Sequence, residues 1–373
     1  MAISNMEVRR INRNNIFRHI LKLNEFSKNE VAISLGLSLP TVTQGVEYLE
    51  SIGLVEQAGV LPSVGGRRPM SYRCRKNAKV AMGVDITTNH VNIVVVNMAL
   101  QVLYQHRYKE VLDESEASLE WLGKTMAAAM QSLNIPAEDI LGIGFSIPAI
   151  VGEDGSVILA IHESMKISQR FFQKLREKTT LPFMMINDAN SAAHAECSYH
   201  DRKSFVYFFL SNSVGGAYVD QEGKIQYGRL MRAGEFGHMT LHPGGKKCYC
   251  GRKGCLNEYC NTMLLSNLTG GNLEQFFVKV REKDAACLEV WETYLDDLSL
   301  ACHNLLNIYD IPIVLGGYLG EYIGEYIPEL ERRVISYDSY IAGHSMLFAP
   351  RQKRMAAAIG AAGRFVEQFI AGI

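Results

Sequence analysis

His238, Cys248, Cys250 and Cys255 fall within the run HMTLHPGGKKCYCGRKGC, the three cysteines at C-x-C-x4-C spacing. Three thiolates and one imidazole make a complete tetrahedral donor set for zinc, with no position left for a water. Gly251 and Gly254 let the backbone fold tightly between the sulfurs. A closed set of this kind is structural: it pins the loop that carries His238. A disulfide reading conflicts with the rest of the chain, whose eight cysteines fit a reducing cytoplasm. Cys74, Cys197, Cys287 and Cys302 are expected to pack as small hydrophobes.

A loop needs a body to hold it. At 373 residues and 47% hydrophobic content the chain can build large cores and more than one domain. No apolar run reaches the ~18 residues of a membrane span, and the first residues, MAISNMEVRRINRNN, carry no secretory h-region. A cytoplasmic protein with no membrane partner is therefore expected. Charge is unevenly spread. Residues 1–78 hold 11 Lys and Arg against 6 Asp and Glu, whereas residues 79–373 hold 27 against 33. A basic head on an acidic body points to a polyanion-binding module joined to a separate globular domain.

The head has the elements for that role. Ile16, Phe17, Ile20 and Leu21 share a helical face. Ser27 and Glu30 form a capping-box signal for a second helix that ends at Gly36. Ser38 and Pro40 open a third helix, in which Val42, Val46 and Leu49 face inward. Two short helices across a glycine turn make a helix-turn-helix, with Thr41, Thr43, Gln44 and Glu47 as candidates for base edges. A strand at 54–56, an exposed tip at Gly65-Gly66-Arg67-Arg68-Pro69 and a second strand from Met70 add a wing. Its Arg67 and Arg68 suit phosphates or a narrow minor groove. A generic three-helix protein-binding module is the competing reading. Residues 1–75 are expected to bind operator DNA.

From Lys79 apolar strands alternate with helical stretches, at 80–85, 91–97 and 140–146 and again at 204–210, 217–219 and 311–317. Two similar α/β lobes with a cleft between them are expected, the first over 79–195 and completed by the C-terminal helix 355–373, the second over 196–354.

On these residues the chain resembles the ROK family of repressors, open reading frames and sugar kinases, and the resemblance spans nearly its whole length. It rests on Glu235-Phe236-Gly237-His238, matching the family's E-x-G-H, on the cysteine cluster that follows, and on Asn187-Asp188-Ala189-Asn190-Ser191-Ala192-Ala193, similar to N-D-A-N-A-A. The resemblance implies an actin-like ATPase (ribonuclease H-like) body behind the winged helix-turn-helix. It also implies structural zinc on His238 and the three cysteines, and sugar contacts from Asn187, Asp188, Glu235 and His238. In the family the aspartate is the base that activates the sugar oxygen, so Asp188 holds that position here. Carboxylates and amides suit vicinal hydroxyls because they accept and donate in pairs. Taken alone, Asn187-Asp188 reads as a helix cap and Glu235 as an ion-pair partner.

Four departures matter. The family's D-x-G-G-T phosphate turn is Asp85-Ile86-Thr87-Thr88-Asn89, and its G-T-G-x-G-G-G turn is Ser211-Asn212-Ser213-Val214-Gly215-Gly216-Ala217. Phosphates need turns without Cβ atoms, so ATP binding is not expected; the Gly316-Gly317 pair survives but also serves packing. The family's G-C-L-E becomes Gly254-Cys255-Leu256-Asn257-Glu258, leaving Asn257 and Glu258 as altered sugar contacts, and its P-G-P becomes Pro148-Ala149-Ile150. His162 lies in a loop that can reach the cleft, but a surface position is the expectation. The reading that follows is a sugar-responsive DNA-binding regulator without catalytic residues, a homodimer or tetramer that recognises a sugar or sugar derivative. A sugar kinase fused to a DNA-binding domain is the alternative, and a zinc-responsive regulator a third.

Overall fold

A computed structural model describes residues 5–60, 70–199, 204–337, 340 and 342–373. The chain forms two compact units: Met1–Phe145 with Lys166–Met184 and Ala361–Ile373, and Ser146–Met165 with Met185–Gly360.

The first unit opens with α1 (Asn5–Ile20), α2 (Lys28–Leu35) and α3 (Leu39–Ser51). Ser27 caps α2 through the expected reciprocal capping box, and Gly36 in the left-handed region closes the helix. The Ser38 hydroxyl accepts from Thr41 N at 3.3 Å and opens α3, with Pro40 in its first turn. Ile16, Phe17, Ile20, Val31, Val42, Val46 and Leu49 form a fully buried core. Gly45 lets α3 approach α1 closely, since a Cβ there would lie 2.6 Å from Ile16 Cδ1. β1 (Val55–Val60) and β2 (Met70–Cys74) pair antiparallel, and Phe26 pairs with Tyr72 to fasten the sheet to the helices. The wing tip, with Arg67 and Arg68, lies outside the described residues.

β3 (Val80–Ile86), β4 (Val91–Asn97) and β5 (Val102–Tyr108) then form an antiparallel meander. After α4 (Glu116–Ser132), β6 (Ile140–Ile147) joins this sheet. The hairpin of β7 (Ala149–Val151) and β8 (Ile158–Ile161) belongs to the second unit. α5 (Gln169–Lys178) returns to the first, and β9 (Phe183–Asn187) gives the strand order β5-β4-β3-β6-β9. β3 and β4 are buried along their whole length, as strands covered on both faces must be.

In the second unit α6 (Asp188–Cys197) follows β9 without a break, and β10 (Phe205–Leu210) and β11 (Val214–Val219) form a tight antiparallel pair. After the long cysteine-bearing loop come α7 (Asn257–Cys260), α8 (Met263–Ser266), α9 (Leu273–Arg281) and the 25-residue α10 (Ala285–Tyr309). β12 (Ile313–Gly316), α11 (Ile327–Tyr337) and β13 (Leu347–Phe348) complete a sheet of order β11-β10-β12-β13. Period-two alternation sorts β10 between two cores. Val206, Phe208 and Leu210 face the cluster around α10, and Phe205, Tyr207 and Phe209 face the alanines of α6. The final helix, α12 (Ala356–Gly372), begins in the second unit and ends in the first. Among the described residues no helix is long and apolar enough to cross a membrane.

Candidate functional site

The second unit holds a cavity of about 250 Å³. This is just below the ~300–1,000 Å³ of common ligand sites, room for one sugar ring. Three structures wall it: the β7–β8 hairpin, the β9–α6 junction, and β11 with the Glu235–His238 turn. At the junction Asn187 is spent on architecture. Its Oδ1 caps α6 by accepting from Asn190 N at 3.0 Å, and its Nδ2 donates to Ala149 O at 3.0 Å. Asp188 starts α6, accepts from Ala189 N at 2.9 Å, and lines the cavity. The cap reading of Asn187 and its position in the wall therefore hold together.

Opposite, close backbone packing fixes Glu235. A Cβ on Gly234 (φ +88°) would lie 2.1 Å from Gly216 O, and one on Gly237 2.1 Å from Val214 O. The E-x-G-H turn thus seats directly on β11, and Glu235 and His238 both line the cavity. Burial raises the Glu235 carboxyl above its ordinary value, partly offset by Arg232. Burial, then Arg252 and Arg232, hold His238 below its ordinary imidazole value. Among the described residues no lysine or arginine lines the cavity, whereas Glu163, Asp188 and Glu235 do.

Asn257 and Glu258 are not among the lining residues. Asn257 is buried; its Oδ1 accepts from Val214 N at 2.9 Å and its Nδ2 donates to Glu258 Oε1 at 3.0 Å. It braces the start of β11 from behind. His162, expected at the surface, instead lines the cavity, because its amide donates to Pro148 O at 2.9 Å and folds the β8 end over the pocket. Burial lowers its pKa against the opposing charge of Glu163. Its proximity depends on a hairpin whose two strands carry no strong alternation, so the sequence placed its loop near the cleft but not the side chain in it. Tyr249 also lines the cavity, a role the cysteine spacing concealed.

The donor atoms of His238, Cys248, Cys250 and Cys255 all lie within 4.8 Å of one another. Cys250 and Cys255 sulfurs are 3.6 Å apart, and Cys248 Sγ stands 3.9 Å from His238 Nδ1. Zn–S bonds of about 2.3 Å imply tetrahedral edges of about 3.8 Å, so the set fits zinc. Arg252 Nη2 donates to His238 O at 2.8 Å and Cys248 N to Arg252 O at 2.8 Å, joining the loop to the histidine backbone. Burial pushes the Cys248 thiol up to about 12. For Cys250, burial is outweighed by Arg252 and the neighbouring thiols, which bring it down to about 7. A bound cation would hold all three as thiolates.

The two phosphate-turn segments close on themselves. In the first unit Thr87 N donates to His90 O at 2.9 Å, and His90 N donates to Thr87 Oγ1 at 3.1 Å. The buried Asp85 accepts from Asn92 Nδ2 at 2.8 Å. In the second unit Ser211 N donates to Ser213 O at 3.2 Å, and Thr262 N donates to Ser211 O at 2.8 Å. These amides are used internally.

In the first unit Thr41 and Thr43 are half-buried and Gln44 and Glu47 are exposed on α3. The Thr41 hydroxyl lies 2.8 Å from the Ser38 hydroxyl of the cap, and Glu47 meets Lys28 at 3.4 Å.

Comparison with known proteins matches residues 81–367 to the model described as "ROK family". A putative xylose repressor of Caldicellulosiruptor sp. (strain Rt8B.4) is 25% identical over 391 residues, covering 98% of this chain and 97% of its own. The xylose repressor of Bacillus subtilis (strain 168) is 25% identical over 263 residues, 69% of this chain and 67% of that one. Among solved structures, a ROK family transcriptional regulator described as a homolog of the Escherichia coli MLC protein superposes with a TM-score of 0.76 at 18% identity. It covers 98% of this chain and 97% of its own, so the fold is shared along nearly the whole chain.

Proposed function

The chain belongs to the ROK family, and from that premise we propose that it is a sugar-responsive transcriptional repressor whose body keeps a sugar pocket without kinase activity. The observation that carries the sensor half is the cavity, with Asp188, Glu235 and His238 in its walls and no lysine or arginine among its described lining residues. Carboxylates and imidazoles around about 250 Å³ suit the hydroxyls of an unphosphorylated monosaccharide and repel a phosphate. The full-length relative's name, putative xylose repressor, agrees with a pentose-sized ligand.

The self-closed Thr87–His90 turn supports the absence of kinase activity, because a phosphate cradle needs outward backbone amides. Asp188 then acts as a hydroxyl-binding group rather than a base. Zinc on His238, Cys248, Cys250 and Cys255 would be structural. It would hold the His238 turn in the cavity wall, and His238 serves both sites through its two ring nitrogens. Residues 1–75 form the DNA-binding domain, α3 entering the major groove with Thr41, Thr43 and Gln44 toward base edges and Arg67 and Arg68 on the backbone. A two-fold dimer presents two such heads to paired half-sites. The sugar changes operator affinity only by the difference in its own affinity for the DNA-bound and free states.

The test is a mobility-shift titration with DNA from upstream of the protein's own gene, repeated with D-xylose, D-glucose and N-acetylglucosamine, beside an ATP phosphorylation assay. Specific binding that one sugar shifts by at least about tenfold, with no sugar phosphate formed, is the expected result. Sugar-dependent ATP consumption would overturn the repressor-only reading, and absence of specific DNA binding would overturn the regulator itself.

A further inference from the structure

Tyr249 sits between two of the metal-site cysteines, Cys248 and Cys250, yet its side chain lines the cavity. Its hydroxyl lies 3.1 Å from His238 Nε2, and its ring meets that of His238 at 5.2 Å, 65° apart. On its other side it packs edge-on against His162, ring centres 4.7 Å apart at 62°. The residue as a whole is 41% exposed. We propose that Tyr249 is a ligand-contacting, specificity-determining residue of the pocket, and that it makes ligand affinity depend on the occupancy of the Cys/His site.

The geometry assigns each atom of the link. His238 Nδ1 faces Cys248 Sγ at 3.9 Å, so with a cation bound Nδ1 would be the metal-side nitrogen and Nε2 would carry the proton. Nε2–H therefore donates to the Tyr249 oxygen, which leaves the phenol hydrogen to donate to a ligand hydroxyl. The ring offers an apolar face to the C–H side of a sugar, an amphipathic contact of low entropy cost. His162 packs against the ring from the β8 end, so the hairpin and the metal loop meet at this side of the pocket. Two of the residues flanking or facing Tyr249 are cysteine ligands and a third is His238. Emptying the metal site frees the 248–250 segment and withdraws the wall. The link is a binding linkage, in which whatever metal does for ligand, ligand does for metal. It rests on the sugar-pocket reading of the cavity.

The experiment compares wild type, Tyr249→Phe and Tyr249→Ala, each zinc-loaded and chelator-stripped, by calorimetric titration with whichever of D-xylose, D-glucose or N-acetylglucosamine binds wild type. Loss of the hydroxyl alone is expected to weaken binding about fivefold, the worth of one hydrogen bond. Loss of the ring is expected to weaken it about tenfold or more. Stripping zinc from wild type should cost at least as much as Tyr249→Ala, because His238 is released with Tyr249, and stripping that variant should cost less than stripping wild type. Full additivity of the two losses, or unchanged affinity in Tyr249→Ala, overturns the proposal. A second measurement needs no sugar: the rate at which diethyl pyrocarbonate modifies His162, referred to the exposed His344 and mapped by mass spectrometry. Tyr249→Ala should accelerate it with zinc in place, and chelation should accelerate it in wild type but not in the variant. If no sugar binds wild type, the sensor reading fails while this rate still decides the Tyr249 link. A His162 rate unmoved by chelation and by Tyr249→Ala refutes it.

Discussion

Gly234→Ala probes the contact that sets Glu235 in the cavity wall. Two penalties act at that position. Gly234 has φ +88°, where an L side chain is strained, and its Cβ would stand 2.1 Å from Gly216 O and 3.2 Å from Ala217 N. The first costs roughly 1–2 kcal/mol and the second, as overpacking against backbone, about 1–3 kcal/mol. Together they remove about 2–5 kcal/mol, which for a unit of this size lowers Tm by roughly 5–20 °C. Gly223→Ala supplies the control. Its φ is +77° but nothing lies within 4 Å of the added methyl, so it carries the backbone penalty alone. Scanning calorimetry on both variants separates strain from steric conflict, and sugar titration reports whether Glu235, one residue beyond Gly234, has moved. The expected outcome is a melting point for Gly234→Ala clearly below that of Gly223→Ala, with weakened ligand binding in the former only. Equal melting points would refute the claim that backbone contact with β11 positions the Glu235–His238 turn.

Asn257→Ala leaves the buried Val214 amide unpaired and should cost about 1–3 kcal/mol in chemical denaturation; an unchanged midpoint would remove its bracing role. His162 should titrate below 6.5 by NMR because burial disfavours its charged form. Its folded pKa lies below the unfolded one, so its contribution leaves stability intact above pH 6.5 and erodes it as the pH falls below that value. His162→Gln should flatten that acid-side slope. With Cys248 held up to about 12 in the absence of metal, zinc uptake near pH 7 must release protons, and apparent zinc affinity should rise with pH. An indicator-dye titration showing no proton release would contradict that thiol assignment. Cys255→Ser should lower zinc content and loosen the 246–253 loop, so that trypsin cuts faster at the surface residues Lys246, Lys247, Arg252 and Lys253.

Features written in short-range spacing were legible in the sequence. Ser27–Glu30, Gly36 and Ser38–Pro40 delimit α2 and α3 because caps act within one turn. The four metal-site residues lie within 18 residues of sequence, and the loop's glycines bring their donors within 4.8 Å. What was illegible depends on long-range neighbours. His162 enters the cavity because a hairpin 25 residues before Asn187 folds back on Pro148, and neither strand has an alternating pattern strong enough to announce it. Asn257 occupies the position after C-L where the family resemblance implies a sugar contact. Its amide instead satisfies a strand 43 residues away, a partner that no spacing rule identifies. Tyr249 was hidden for a different reason. The cysteines on either side account for the loop so completely that its remaining side chain invited no question.

Glycine gives the sharpest division between legible and illegible. A glycine lost from a phosphate turn and one retained elsewhere look like evidence of the same kind, yet the packing treats them differently. Gly316 is retained because a Cβ would lie 2.1 Å from the Tyr207 hydroxyl, and Gly317 because φ is +74° and the Leu210 carbonyl would lie 2.4 Å away. Neither needs a nucleotide to explain it, so their survival carries no weight for ATP. Gly216 and Gly237 are likewise demanded by Phe236 and by Val214 O, which hold β11 against the His238 turn. Such packing constraints are blind to whether the body is catalytic, and they persist in either case. Thr87 is the informative position. There the hairpin closes with the side chain's own hydroxyl accepting from His90 N at 3.1 Å, a bond glycine could not make. That turn gains local order from the Thr87 side chain. Substituting glycine at Thr87 should therefore loosen the β3–β4 connection without, by itself, rebuilding a cradle, since Asp85 stays engaged by Asn92 at 2.8 Å. Amide exchange at His90 measures the loosening and ATP titration of the same variant measures the cradle. Faster exchange with no ATP binding is expected, and nucleotide binding restored by this one change would show that the Thr87 side chain alone had closed the site.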